Sequence, residues 1–78
     1  MITAAQCRAA RGLLDWSQLD LAKFAGVGVV TVHQLESNAS QPRRATVDVV
    51  RRAFEAAGVE FIEKNGGGEG VRLKKPSA

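Results

Sequence analysis

Gly26 is the residue that most constrains how this chain folds. It stands directly after one apolar-patterned segment, Gln18 to Ala25, and two residues before another. A glycine there takes the left-handed conformation that ends a helix, at no Cβ cost. Ser17 is placed to cap the first helix. Leu21, Ala22 and Ala25 form its inner face, and Val27 fills the corner after the glycine. The next helix then runs from about Gly28 to Ser37, with Val32 and Leu35 turned inward three residues apart. Residues 17–36 therefore make two short helices around a tight corner. Their outward face is expected to expose four apolar side chains, Leu19, Phe24, Val29 and Val30.

The rest of the chain supplies the packing around that corner. A helix fits residues 3–14, with Thr3 as its N-cap and Cys7, Ala10 and Leu14 as an apolar stripe. Gly12 weakens its last turn by about 1 kcal/mol relative to alanine, which suggests fraying or a close approach by a neighbouring helix. Residues 38–42 are a polar loop. A further helix fits 43–57, with Val47, Val50, Phe54 and Ala57 on one face and Gly58 as the terminating glycine. The period then changes from helix to strand. Residues 59–63 and 70–74 alternate around a glycine-rich turn and predict a β-hairpin with Val59, Phe61, Val71 and Leu73 facing inward. Such a hairpin is marginal alone, so helix 43–57 or a second copy must cover it. The fold class is mainly α: four helices and a short C-terminal hairpin in one domain, 1–75, with 76–78 as a disordered tail.

Composition narrows the function. A 78-residue chain makes one small domain. No apolar stretch approaches ~18 residues, so no membrane span is expected. The N-terminus has no secretory pattern, and a lone Cys7 forms no internal disulfide, so a cytoplasmic, reduced protein is expected. The formal charge of +3 suits nucleic acid or an acidic protein face. Basic residues come in pairs, among them Arg8 with Arg11 and Arg43 with Arg44. His33 has no ligand-spaced partner, which argues against a metal site. Cys7 lies on a core stripe, and Gly66-Gly67-Gly68 lacks the Lys-Ser/Thr of a phosphate loop. No acid–base pair or nucleophile triad stands out. A non-enzyme without cofactor or metal is expected.

Arg11, Trp16-Ser17-Gln18, Leu21-Ala22, Ala25-Gly26-Val27, Thr31-Val32 and Leu35-Glu36, continuing through Pro42 to Glu55-Ala56-Ala57-Gly58-Val59-Glu60-Phe61, resemble the Cro/C1-type (XRE) helix-turn-helix regulators of bacteria and phages. The resemblance covers most of the chain. It implies a four-helix DNA-binding fold and an internal ion pair between Arg11 and Glu36. It further implies a phosphate contact for Gln18 at the start of the second helix, where free N–H groups and a positive dipole end favour anions. Arg43 and Arg44 would add phosphate contacts. Bases would be met by Val29, Val30, Thr31, His33 and Gln34, with Gln34 on an adenine edge and methyl groups on thymine. The chain departs from the family's pattern on that face. Gly28 stands where serine is frequent, Val29 where a polar residue is frequent, and Leu19 and Phe24 where polar residues are usual.

Two functions fit these residues. In one, a small transcription regulator of the antiactivator kind grips a transcription activator protein through Leu19, Phe24, Val29, Val30 and His33. In the other, it is a repressor that binds a double-stranded operator as a dimer, through helix 3. Apolar patches mark protein contacts, and valines make no bidentate base contacts, so the residues alone favour the first.

Overall fold

The computed structural model describes residues 1–37 and 42–74. The chain opens on a reciprocal cap. Thr3 Oγ1 accepts from the Gln6 amide at 3.0 Å, and Gln6 Oε1 accepts from the Thr3 amide at 2.9 Å. Two of the four orphan N–H groups of helix α1 (Ala4–Leu14) are thereby satisfied. Asp15, in the left-handed conformation at φ 56°, ends the helix. The same device starts α2 (Gln18–Ala25), where Ser17 and Asp20 cap each other at 3.0 Å in both directions. The bond from the Ser17 amide, with the Ser17 side chain beside it, holds the Asp20 carboxyl below its ordinary value.

Gly26 ends α2 with φ 71°, as its position predicts. Helix α3 is Val29–Ser37, one residue later than expected: the Gly28 carbonyl accepts the first helical bond, from the Val32 amide at 3.2 Å. Helix α4 is Arg44–Ala56, and Gly58 beyond it has φ 100°. Strands β1 (Val59–Ile62) and β2 (Gly70–Leu73) form an antiparallel hairpin, with Val59 opposite Leu73 and Phe61 opposite Val71. The fold is mainly helical, four helices followed by a two-stranded hairpin. Boundaries fall within a residue or two of the predicted ones. Of the expected loop 38–42, all but Pro42 lies outside the described residues, as does the expected tail at 76–78. None of the described helices is long and apolar enough to cross a membrane.

One core joins five elements: Cys7 and Ala10 from α1, Leu21 and Ala22 from α2, Val32 and Leu35 from α3, Val47, Val50 and Phe54 from α4, and Val59 and Phe61 from β1, with Val71 of β2 packed against it. Three rings run through it. Trp16 stacks on Phe54 at 5.8 Å, and Phe54 meets Phe61 edge-on at 6.0 Å. The hairpin is covered from two sides, by α4 on β1 and by α1 on β2, rather than by α4 alone. A Gln6 bond to the Gly70 carbonyl at 3.0 Å ties α1 to the start of β2.

Three expectations need correction. Ala57, expected on the inner face of α4, is exposed, because the helix ends at Ala56 and Ala57 is its C-cap, where the helical phase no longer holds the side chain against the core. Leu73 is on the inner side of the hairpin by register but is 46% exposed, because alternation fixes which way a side chain faces and not whether anything covers it. Gly12 accommodates no close neighbour. A Cβ built there meets nothing within 4 Å. The Gly12→Ala substitution is therefore expected to raise stability by about 1 kcal/mol through backbone propensity, readable as a shifted denaturation midpoint at unchanged slope.

Candidate functional site

Helix α3 presents two faces of opposite character. Val32, Leu35 and Glu36 are buried. Val29, Val30, His33 and Gln34 are exposed, Val30 at 65%, and Thr31 is half-buried. The separation follows from helical phase. Residues three and four apart share a face, and those between them turn away. Gly28 adds no side chain in front of this helix. Arg43 and Arg44 are exposed at the start of α4.

The four outward apolar residues are all exposed, Leu19 at 53% and Phe24 at 67%. They do not make one patch on α2. Five residues at about 100° each place Leu19 and Phe24 roughly 140° apart around that helix. Phe24 lies flat on Trp16, with ring centroids 4.5 Å apart and planes 9° from parallel. It extends the aromatic stack that begins in the core at Phe61, so one face of its ring is covered while the other is open.

The buried side of α3 is held by Glu36, the hub of the site. Arg11 grips its carboxylate with two bonds, Nε to Oε2 at 2.7 Å and Nη2 to Oε1 at 2.8 Å. Gln18 Nε2 donates to Oε1 at 3.1 Å, and the Cys7 thiol donates to Oε2 at 3.2 Å. Arg8 donates to the Glu36 main-chain carbonyl. Arg11 also bonds the Trp16 carbonyl at 3.0 Å, which fixes the segment between α1 and α2. The bidentate fork explains why arginine suits this position. Burial pushes the Glu36 carboxyl up. The donated bonds from Arg11, Gln18 and Cys7, with the Arg11 charge, outweigh it and hold the group below its ordinary value. Burial, with the bonded carboxylate, drives the Cys7 thiol far above its ordinary range, so it stays protonated.

The predicted Arg11–Glu36 pair is thus present with bidentate geometry. Gln18, at the start of α2, donates its side-chain amide to Glu36. Cys7 is a packed thiol that also donates to the ion pair. Sequence inspection had missed Arg8, Gln6 and Asp20. The last two carried a legible signal, a capping pattern three residues after Thr3 and Ser17. Arg8 had none, because its partner is 28 residues away.

A family model described as helix-turn-helix matches residues 8–63. No curated protein matches the chain significantly.

Proposed function

The chain belongs to the Cro/C1-type helix-turn-helix (XRE) family of transcription regulators, and from that membership we propose that it binds double-stranded operator DNA through the outward face of α3. The observation that carries this reading is the exposure of Val29, Val30, His33 and Gln34 on a helix whose other side is locked by Arg11 and Glu36. Gln34 supplies a bidentate group for adenine, and the valine methyls supply apolar contact for thymine methyls. Arg43 and Arg44 contact phosphates, which add affinity without sequence information. A face of this composition reads few bases by hydrogen bonds, so selectivity rests on Gln34, His33 and thymine contacts.

The test is a fluorescence titration of the chain against the promoter of its own gene and against a scrambled duplex, repeated across salt. Selective binding is expected. Gln34→Ala is expected to lower selective affinity about tenfold or more, in line with the ~1–3 kcal/mol carried by a bidentate base contact. Arg44→Ala should weaken both duplexes alike and reduce the salt slope by about one. Equal affinity for the two duplexes at physiological salt would sink the operator reading.

The second reading, capture of a transcription activator protein, is favoured by one observation, the 67% exposure of Phe24 on its Trp16 platform. Its residues remain Leu19, Phe24, Val29, Val30 and His33. Helical phase sets Leu19 and Phe24 about 140° apart on α2, so a partner would have to span two faces of that helix. Phe24→Asp separates the two, since it abolishes capture of a protein partner and leaves promoter binding intact.

A further inference from the structure

The first turn of α3 carries almost no hydrogen-bonding side chain. Gly28 brings none, although a Cβ built there meets only Thr31 Oγ1, at 3.8 Å, so the space in front of the helix is open. Val29 and Val30 follow, 41% and 65% exposed, and half-buried Thr31 supplies the one side-chain polar group of this turn. In a helix-turn-helix the N-terminal residues of the second helix are those that meet base edges. His33 and Gln34, the polar residues of the outward face, stand a turn further along. The leading end of α3 therefore presents methyl groups where base edges arrive.

The major groove offers a valine few favourable targets. The ring-nitrogen and carbonyl acceptors of the purines and the exocyclic amino groups are hydrogen-bonding atoms. Covering one with an apolar side chain strips its water and returns no bond. The thymine C5-methyl is the apolar group that unmodified base pairs place there. A methyl on the same carbon of cytosine stands at the same place in the groove, beside an amino donor where thymine has a carbonyl acceptor. A hydrogen-bonding side chain tells those two bases apart by that polar neighbour. A valine touches the methyl alone.

We infer that Val29 and Val30 read the pyrimidine C5-methyl group itself, and that this end of α3 accepts 5-methylcytosine where it accepts thymine. A C·G pair at a valine contact is then a weak site until its cytosine is methylated, and a site equivalent to T·A in its methyl contact afterwards. The ligand class is a methyl-bearing pyrimidine in duplex DNA. The inference rests on the operator reading of α3 and goes beyond it, since that reading needs no modified base.

The test titrates the full chain against duplexes of its own promoter in which each thymine in turn is replaced by deoxyuridine, which deletes the methyl and keeps the pairing edge. One or more positions are expected to lose affinity about fourfold, the scale of one buried methylene. At each such position the T·A pair is then replaced by C·G, with the cytosine plain or 5-methylated. Methylation is expected to raise affinity about fourfold over plain cytosine. Val29→Ala combined with Val30→Ala is expected to erase both differences, because the coupling between a side chain and its contact vanishes with the side chain. Both valines are exposed and alanine is the better helix former, so this variant keeps its fold, which an unchanged circular dichroism spectrum checks. Should it unfold, the comparisons made with the wild-type chain still decide. Deoxyuridine that costs nothing at any position, or plain and methylated cytosine bound alike, overturns the inference and leaves selective promoter binding standing. Methyl effects that persist undiminished in the folded double variant belong to other residues and overturn it as well. Equal affinity for the promoter and a scrambled duplex removes the operator reading and the inference together.

Discussion

Arg11→Ala is expected to lower the unfolding free energy by about 3 kcal/mol, the lower end of the cost of removing one partner from a buried pair. The lower end applies because Glu36, at 4% exposure, keeps Gln18 and Cys7 as donors after the guanidinium is gone. A chain of this size has a total stability of roughly 4–12 kcal/mol, so the loss is a large share. The melting temperature should fall by more than about 10 °C. Acid titration gives an independent check. The Glu36 carboxyl titrates lower in the folded chain than its ordinary value of 4.5, so its contribution is full above that pH and is lost as the pH falls through the folded value. The wild type should therefore lose stability below about pH 4.5, and Arg11→Ala should show a shallower acid limb. Cys7 works in the opposite sense. Its raised value makes the fold lose stability as the pH rises above about 9, the thiol's ordinary value. An Arg11→Ala variant that melts within 2 °C of the wild type, with an identical acid limb, would show that Glu36 is not the brace described.

The second large effect is expected at Phe54. This ring is fully buried and touches aromatic partners on both sides, Trp16 at 5.8 Å and Phe61 at 6.0 Å. Truncation to alanine deletes the transfer energy of the ring and leaves a cavity that rigid neighbours fill poorly, at a cost of about 3–5 kcal/mol. The hairpin should suffer first, because Phe61 rests on this ring and a two-stranded sheet has little stability of its own. Amide exchange in Phe54→Ala is expected to show residues 59–73 losing protection ahead of α1 to α3. Uniform loss of protection across the chain would argue against the ring as the hairpin's specific support.

The elements legible in the sequence are those whose causes are local. Ser17, Gly26 and Gly58 act within one turn of their own positions, so α2 and the end of α4 were predicted almost to the residue. The inner faces of α3 and α4 followed from period alone, except at Ala57, which lies past the end of its helix. Long-range partners were not legible. Glu36 collects donors from positions 7, 8, 11 and 18, and no spacing rule connects these to position 36. The bond from Gln18 to Glu36 belongs to that network and was not legible either. The exposure of Leu73 was hidden for a related reason: a period-2 pattern assigns a face but carries no information on where covering elements end. The four outward apolar residues were correctly expected to be exposed. That Phe24 belongs with Trp16, and apart from Leu19, needed the three-dimensional arrangement around residue 16.

The aromatic stack has one more consequence. The chain contains a single tryptophan and no tyrosine. That indole lies between Phe24, open to solvent, and Phe54, sealed in the core. Its emission therefore carries an intrinsic optical signal from both ends of the stack. Loosening of the core alters it from one side, and anything seated on the outer ring alters it from the other. Unfolding and surface occupancy are both observable in the unlabelled protein, from one fluorophore.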